Sequence, residues 1–127
     1  MILKNQNTNN EITIRIVEKI EIQKLNFKYR GKNHSTNILS FSYGYTYINK
    51  IKQLGDLIIC SKVLMEEAKQ QNISLQSHWA HMIIHGTLHL LGYDHQTTIT
   101  RKKMEFLETH LMVQLGYSDP YISEKYF

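Results

Sequence analysis

The chain has 127 residues, of which 42% are hydrophobic and 20% charged, with a formal net charge of +4 and one cysteine. These values are typical of a single soluble globular domain over residues 1–127, and one cysteine excludes an intrachain disulfide or a Cys-based metal motif. The apolar runs are far shorter than the ~20 residues that a membrane span needs. Because the N-terminus also lacks a signal-peptide pattern, we expect a cytoplasmic protein without a membrane partner.

The N-terminal third predicts one strand and one helix. Residues 1–10 are polar and Asn-rich, and we expect them to be loosely ordered. The segment EITIRIV, residues 11–17, alternates isoleucine with polar residues and predicts a half-buried strand. From about Glu18 the apolar spacing becomes that of a helix, and Gly31 is its expected end.

The middle of the chain predicts two more strands. The segments STNILSF, residues 35–41, and LGDLIIC, residues 54–60, have the length and pattern of strands. Between them, residues 42–52 are rich in Gly, Tyr and Asn and predict a long loop. Cys60 is expected to be a small apolar residue at a strand end.

The C-terminal half predicts three helices. They run from Ser61 to about Gln71, from Leu75 to Leu91, and from about Thr100 to Leu115. Together with the preceding elements they give three strands and four helices, which indicates an α+β or α/β sandwich. The helix from Leu75 is the most apolar, and we expect it to be central.

Histidines cluster at the end of that helix, in HGTLHLLGYDH. His85 and His89 are four residues apart, so their side chains point the same way one turn apart. Gly92 allows a sharp turn that brings His95 back as a third ligand. Three imidazoles suit a single Zn²⁺ ion and leave one coordination position open, as in catalytic zinc sites.

Other histidines compete for this role. His81, His85 and His89 form an i, i+4, i+8 series. Because eight residues rise ~12 Å along a helix, the two end residues of this series would have to reach too far to share one ion. We therefore expect His81 and His78 to be supporting groups. His34 and His110 have no supporting pattern and are expected on the surface.

Gly86 bears on the reaction. The spacing of the three histidines and Gly92 matches that of the metzincin peptidases, in which a glutamate follows the first histidine and acts as general base. Gly86 stands at that place and argues against the usual peptidase mechanism. A metal ion can still lower the pKa of bound water to ~7. Such a site suits a phosphodiester substrate, because the metal ion and a cation can offset the negative charge that develops on it.

A basic segment, QKLNFKYRGK, lies upstream. It contains Lys24, Lys28, Arg30 and Lys32. By composition it is either a solvated helix face or a phosphate-binding patch.

Several blocks of the chain resemble one family. The segment HGTLHLLGYDH is similar to the signature of the YbeY endoribonucleases, which are bacterial rRNA maturation factors. Four further blocks resemble the family in matching order, so that the likeness covers roughly residues 11–126. The blocks are LNFKYRGKNHSTNILSF, LGDLIIC, SHWAHMIIHG and MEFLETHLMVQLGY.

The resemblance implies a function and its partners. It implies an α+β fold, with a small mixed sheet packed against helices around a central metal-bearing helix. The implied activity is a zinc-dependent, single-strand-specific endoribonuclease that processes the 3′ end of small-subunit rRNA and takes part in ribosome quality control. The implied partners are that rRNA, the ribosome and ribosome-associated proteins, and no DNA.

Residue by residue, the resemblance makes His85, His89 and His95 the zinc ligands and Arg30 the functional arginine, and we expect Arg30 and His85 to be the catalytic residues. Arg30 would also bind substrate phosphate, because its planar guanidinium suits bidentate contact. Lys28 and Lys32 are expected to bind substrate beside it.

The chain departs from the family at two places. Asn37 stands where many members have aspartate, so a catalytic carboxylate is not expected there. Relatives also carry a further strand and helix before EITIRIV, which we expect to be missing or divergent here; a lost edge strand would expose unpaired backbone. Asp94 either orients a ligand histidine or completes the turn.

Two alternative functions remain open. The metzincin-like spacing permits a metallohydrolase that acts on peptides. The basic patch permits a non-catalytic ribosome-assembly factor that binds RNA and holds a structural zinc ion.

Overall fold

A computed structural model describes residues 2–5 and 8–122, and it confirms the α+β class with four helices and a mixed sheet of four strands. In chain order the elements are β1 (Ile2–Asn5), β2 (Thr8–Val17), α1 (Lys19–Arg30), β3 (Ile38–Ile48), β4 (Ile51–Cys60), α2 (Ser61–Gln71), α3 (Leu75–Leu90) and α4 (Thr98–Gln114).

The sheet has the strand order β1-β2-β4-β3. The strands β1 and β2 are antiparallel, β2 and β4 are parallel, and β4 and β3 are antiparallel. Because β2 and β4 are parallel, the chain must cross over between them, and α1 lies in that connection. The strands β2 and β4 each have a partner on both sides and form the centre of the sheet.

The predicted loop over residues 42–52 is wrong. Those residues extend β3 and begin β4, and the two strands meet in a tight hairpin. The turn consists of Asn49 and Lys50, whose φ angles are +51° and +65°. Positive φ at both central residues is the type I′ geometry, whose twist matches that of the flanking strands.

The N-terminus also contains a strand that the sequence analysis does not predict. The pairing of β1 with β2 runs from Ile2 opposite Glu11 to Asn5 opposite Thr8. The structure thus places residues 2–5 and 8–10 in strands instead of a loosely ordered segment; residues 1, 6 and 7 lie outside the described ranges. A short antiparallel strand occupies the edge at which we expected a lost strand, and its backbone pairs with that of β2.

Two apolar clusters lie on opposite faces of the sheet. On one face, Leu57 and Ile59 of β4 pack with Leu64 of α2 and Met82 of α3. On the other face, Ile58 and Cys60 pack with Ile22 of α1. Cys60 is fully buried at the end of its strand. The helix α3 also packs against α2 and α4.

Caps define the helix ends. Gly31 ends α1 in the left-handed conformation, with φ +71°, at the place that the sequence predicts. The helix α4 begins two residues earlier than predicted, because the Thr97 hydroxyl accepts from the backbone N–H of Thr100 in a capping box. In the described ranges, the helices lack the length or apolar character that crossing a membrane requires.

Candidate metal centre and its cavity

Three histidines meet where α3 ends. His85 and His89 lie one turn apart on the helix, and Gly92, with φ +100°, turns the chain so that His95 approaches them. The ring centroids are 4.7 Å apart for His85 and His89, 5.0 Å for His89 and His95, and 5.7 Å for His85 and His95. The structure therefore brings together the three histidines that the spacing selects.

The three imidazoles suit one metal ion. One ring nitrogen from each lies within 4.8 Å of the others, and Nε2 of His85 lies 3.2 Å from Nε2 of His89. Tetrahedral zinc with Zn–N bonds of ~2.0–2.1 Å would place two ligand nitrogens ~3.3 Å apart. The Nε2 atoms of His85 and His89 already have that separation. The third ligand, His95, is exposed and lies after the turn at Gly92.

Electrostatics favours the ligand form of His89. Burial lowers the pKa of His89, and the neighbouring His85 and His95 lower it further. A metal ion binds the neutral imidazole, so these causes keep a lone pair available near neutral pH.

A buried carboxylate supports the triad from behind. Glu108, on α4, is 1% exposed and accepts hydrogen bonds from Nδ1 of His85 at 2.9 Å and from Nε2 of His81 at 2.5 Å. The hydroxyl of Tyr121 donates to it as well. Burial by itself raises the pKa of Glu108, but the hydrogen bonds from His81, His85 and Tyr121 outweigh it and lower the pKa to about 2.

Glu108 is not among the predicted site residues, although the sequence contains a signal for it. The buried positions of α4 are Met104, Glu108 and Met112, at i, i+4 and i+8. An acidic residue in the middle of an apolar stripe is rare unless it has a partner. His81 takes the supporting position that helix geometry predicts for it, since it bonds to Glu108 and is not part of the triad.

His78 belongs to a separate pair near the start of α3. It is 3% exposed, and its Nε2 donates to Oε1 of Glu67 at 2.9 Å. Glu67 also accepts from Nδ2 of Asn37 at 3.2 and 3.3 Å. An aspartate at position 37 would bring a second carboxylate against Glu67, so asparagine is the residue that this contact favours.

The triad opens into a cavity of about 510 Å³. Its wall contains the three histidines and polar residues from α1, β3 and the segment between them, among them Asn26, Arg30, Lys32, His34, Asn37 and Ser40. His34 is exposed, as the sequence analysis expects, yet it lines this wall. Among the described residues that line the cavity there is no aspartate or glutamate.

Arg30 is held on the cavity wall by two contacts. Its Nη2 donates to the carbonyl oxygen of Ser40 at 3.0 Å, and its guanidinium lies 5.0 Å from the ring centroid of Phe41. A guanidinium has five N–H donors, so this bond leaves donors for an anion. Lys32 lines the same cavity, but Lys28 does not; its Nζ lies 5.1 Å from the Tyr29 ring centroid.

Gly86 is buried where α3 meets the sheet. A Cβ atom there would lie 2.7 Å from Cδ1 of Ile38 and 2.8 Å from Cδ2 of Leu57. The position of the peptidase glutamate is therefore packed against the sheet in this fold, and a side chain there would require the ends of Ile38 and Leu57 to shift.

Asp94 makes the contacts of a turn residue. Its Oδ1 accepts from the backbone N–H of Gln96 at 3.2 Å. Hydrogen bonds from the Thr100 side chain and from the Gln96 backbone lower the pKa of Asp94. Of the two roles left open by the sequence, these contacts support completion of the turn.

Comparison with known proteins gives consistent matches. A family model described as endoribonuclease YbeY matches residues 1–116. An endoribonuclease YbeY of Buchnera aphidicola subsp. Baizongia pistaciae is 56% identical over 115 residues, which are 91% of this chain and 75% of that protein. A Thermotoga maritima protein of known solution structure is similar with a TM-score of 0.52 and 25% identity, over 86% of this chain and 76% of that one.

Proposed function

The chain belongs to the endoribonuclease YbeY family, as its sequence blocks indicate, and from this premise we propose that it is a metal-dependent endoribonuclease for single-stranded RNA. The observation that carries the proposal is the shared cavity, whose wall combines the three imidazoles with Arg30 and Lys32. Metal ligands and cations around one space are what a phosphodiester requires, because its cleavage places additional negative charge on the phosphate oxygens.

Each group of the chain has a role in this proposal. A metal ion at His85, His89 and His95 would supply Lewis-acid polarisation and activation of water. Arg30, fixed by Ser40 and Phe41, binds the phosphate and offsets charge in the transition state. Lys32 adds a second cation on the same wall.

The cavity wall offers no carboxylate as a general base among its described residues, and Glu108 is unsuited to that role. With its pKa lowered to about 2 it is a weak base, and it is already occupied by three donors. Two routes follow, namely attack by water or attack by the 2′-OH of the RNA. End-group analysis separates them, because a 2′,3′-cyclic phosphate product arises only from 2′-OH attack.

Cleavage of a fluorescently labelled single-stranded RNA tests the proposal. We expect the purified protein loaded with Zn²⁺ to cleave it, and we expect cleavage to stop with a chelator. Arg30→Lys should slow cleavage by roughly 10²-fold, because lysine keeps the charge but loses the bidentate donors. Arg15→Lys, which changes an exposed arginine of β2 paired with Glu21, is the matched control. Intact RNA with the metal-loaded protein would reject the proposal.

We also propose that the cellular substrate is the 3′ end of small-subunit rRNA and that the protein acts on ribosomes during late maturation and quality control. Depletion followed by rescue with wild type or His89→Ala tests this. We expect unprocessed 3′ ends to persist with the variant. Full rescue by His89→Ala would instead favour the alternative of a non-catalytic assembly factor with structural zinc.

The peptide-hydrolase alternative has less support. The glutamate of the usual peptidase mechanism has no counterpart, because Gly86 stands at its place and is packed against Ile38 and Leu57. Chelator-sensitive cleavage of casein would favour this alternative.

A further inference from the structure

We propose that Glu108 is a positioning residue that fixes the tautomer of His85 and couples the metal centre to the C-terminal segment through Tyr121. The inference rests on the metal site of the proposed function. Its basis is geometric: both oxygens of one fully buried carboxylate accept hydrogen bonds, one from a candidate ligand and the other from His81 and Tyr121.

The ring of His85 contacts Glu108 through one nitrogen and faces His89 with the other. A neutral imidazole carries one N–H, and in His85 it is Nδ1 that faces Oε1 of Glu108 at 2.9 Å. Nε2 then keeps its lone pair, and Nε2 is the atom that lies 3.2 Å from Nε2 of His89. The carboxylate thus selects the tautomer that a shared metal ion needs.

Position 108 requires a side chain that accepts hydrogen bonds from three donors. His81, His85 and Tyr121 all donate to this side chain, and an ionised carboxylate only accepts. A glutamine of the same shape would offer one accepting oxygen and turn an NH₂ group towards the remaining partners. It would also lose the charge, and hydrogen bonds to a charged group are roughly twice as strong as neutral ones.

The segment after α4 contacts the site through Tyr121. Beyond α4, Oδ1 of Asp119 accepts from the Thr109 hydroxyl at 3.1 Å and from the Tyr121 backbone N–H at 2.8 Å. These bonds fold the segment back along α4 and bring the Tyr121 hydroxyl to Glu108. Tyr121 thereby helps to hold the carboxylate that orients His85.

Metal affinity tests the inference without relying on catalysis. Zn²⁺ binding to the full chain is measured by competition with a chromophoric chelator, and the Co²⁺ visible spectrum reports the geometry of the site. We expect Glu108→Gln to weaken Zn²⁺ binding by roughly 10–100-fold. Tyr121→Phe, which removes only the hydroxyl, should weaken it by a smaller factor.

Glu105→Gln is the matched control. Glu105 is one turn earlier on α4, carries the same charge, and pairs with Arg101 at 3.8 Å. If the effect depends on the hydrogen bond to His85, this variant should bind Zn²⁺ like the wild type. Equal weakening by Glu105→Gln and Glu108→Gln would overturn the inference in favour of a general charge effect.

Long-range ¹⁵N–¹H NMR of the metal-free protein provides a second readout. We expect His85 to carry its proton on Nδ1 in the wild type and to lose this preference in Glu108→Gln, with circular dichroism verifying that the variant folds. A proton on Nε2 in the wild type would overturn the inference. A wild type that binds Zn²⁺ but leaves RNA intact would reject only the proposed activity, and one that binds no Zn²⁺ would reject the inference too.

Discussion

The helix α3 carries a histidine–glutamate pair near each end, and the two pairs have different surroundings. Near its start, His78 donates to Glu67 at 2.9 Å and is almost wholly buried. Near its end, His85 donates to Glu108 at the same distance of 2.9 Å. The two contacts are chemically alike, yet only the second adjoins a group of histidines that could share a metal ion.

The second ring nitrogen makes the difference. Nδ1 of His78 is buried without a hydrogen-bond partner among the described residues. Nε2 of His85 faces Nε2 of His89 at the wall of a cavity. A histidine bonded to a carboxylate is therefore not in itself a sign of a metal site; the sign is that the second ring nitrogens of several histidines converge on an accessible space.

The largest expected effect follows from removing a ligand. His89→Ala should weaken Zn²⁺ binding by more than ~10²-fold, since loss of a ligand costs more than loss of its supporting partner. Equilibrium dialysis with metal analysis measures it, beside the unfolding free energy in chelator, which should change little. Unaltered Zn²⁺ stoichiometry and affinity in a folded His89→Ala protein would show that His89 is not a metal ligand. The proposed difference between the two ends of α3 would then be wrong.

Disruption of the buried His78–Glu67 pair should lower the stability of the fold and leave Zn²⁺ binding almost unchanged. His78→Leu removes the donor to Glu67, and we expect it to lower the free energy of unfolding by ~1–3 kcal/mol. Zn²⁺ affinity should stay within about twofold of wild type, because the seven residues to His85 rise ~10 Å along the helix. Urea unfolding in chelator measures the stability.

His78→Gln serves as the control for that experiment, because it retains a donor of similar size. It should recover part of the lost stability. A stability loss that is equal in both variants would show that packing, and not the bond to Glu67, is what His78 contributes.

The smallest effect is expected from Asn37→Asp. The change replaces a donor to Glu67 with a second carboxylate, and it should destabilise the fold at neutral pH by about 1 kcal/mol. Thermal unfolding of a double-mutant cycle checks it: the penalty should shrink when Glu67→Gln is also present. A penalty of the same size in both backgrounds would mean that the two side chains do not interact.

The sequence predicts the triad because its geometry is local. His85, His89 and His95 lie within eleven residues, so helix spacing and one glycine turn are sufficient to bring them together. Glu108 comes from a different helix, and its contacts depend on how α3 and α4 pack. Its position between Met104 and Met112 could reveal that it is buried, but not which histidines it meets.

The main error in the fold has a chemical origin. Residues 42–48, SYGYTYI, contain a glycine that resembles a loop residue, but they also contain the aromatic and β-branched residues that strands favour. The turn itself is Asn49–Lys50, and lysine is an unusual residue at positive φ, so the familiar Asn-Gly signal is missing. At the N-terminus, pairing between backbones orders residues whose side chains carry no strand pattern.

The contact between Gly86 and the sheet has a consequence for how this scaffold could change. In the sequence, one residue separates HGTLH from the peptidase pattern, and a single substitution would supply it. In the structure, a Cβ atom at position 86 would meet the ends of the Ile38 and Leu57 side chains. A lineage or a designer would therefore have to change the neighbours of position 86 together with the residue itself, so the ligand spacing of a peptidase does not by itself place this fold one mutation from proteolysis.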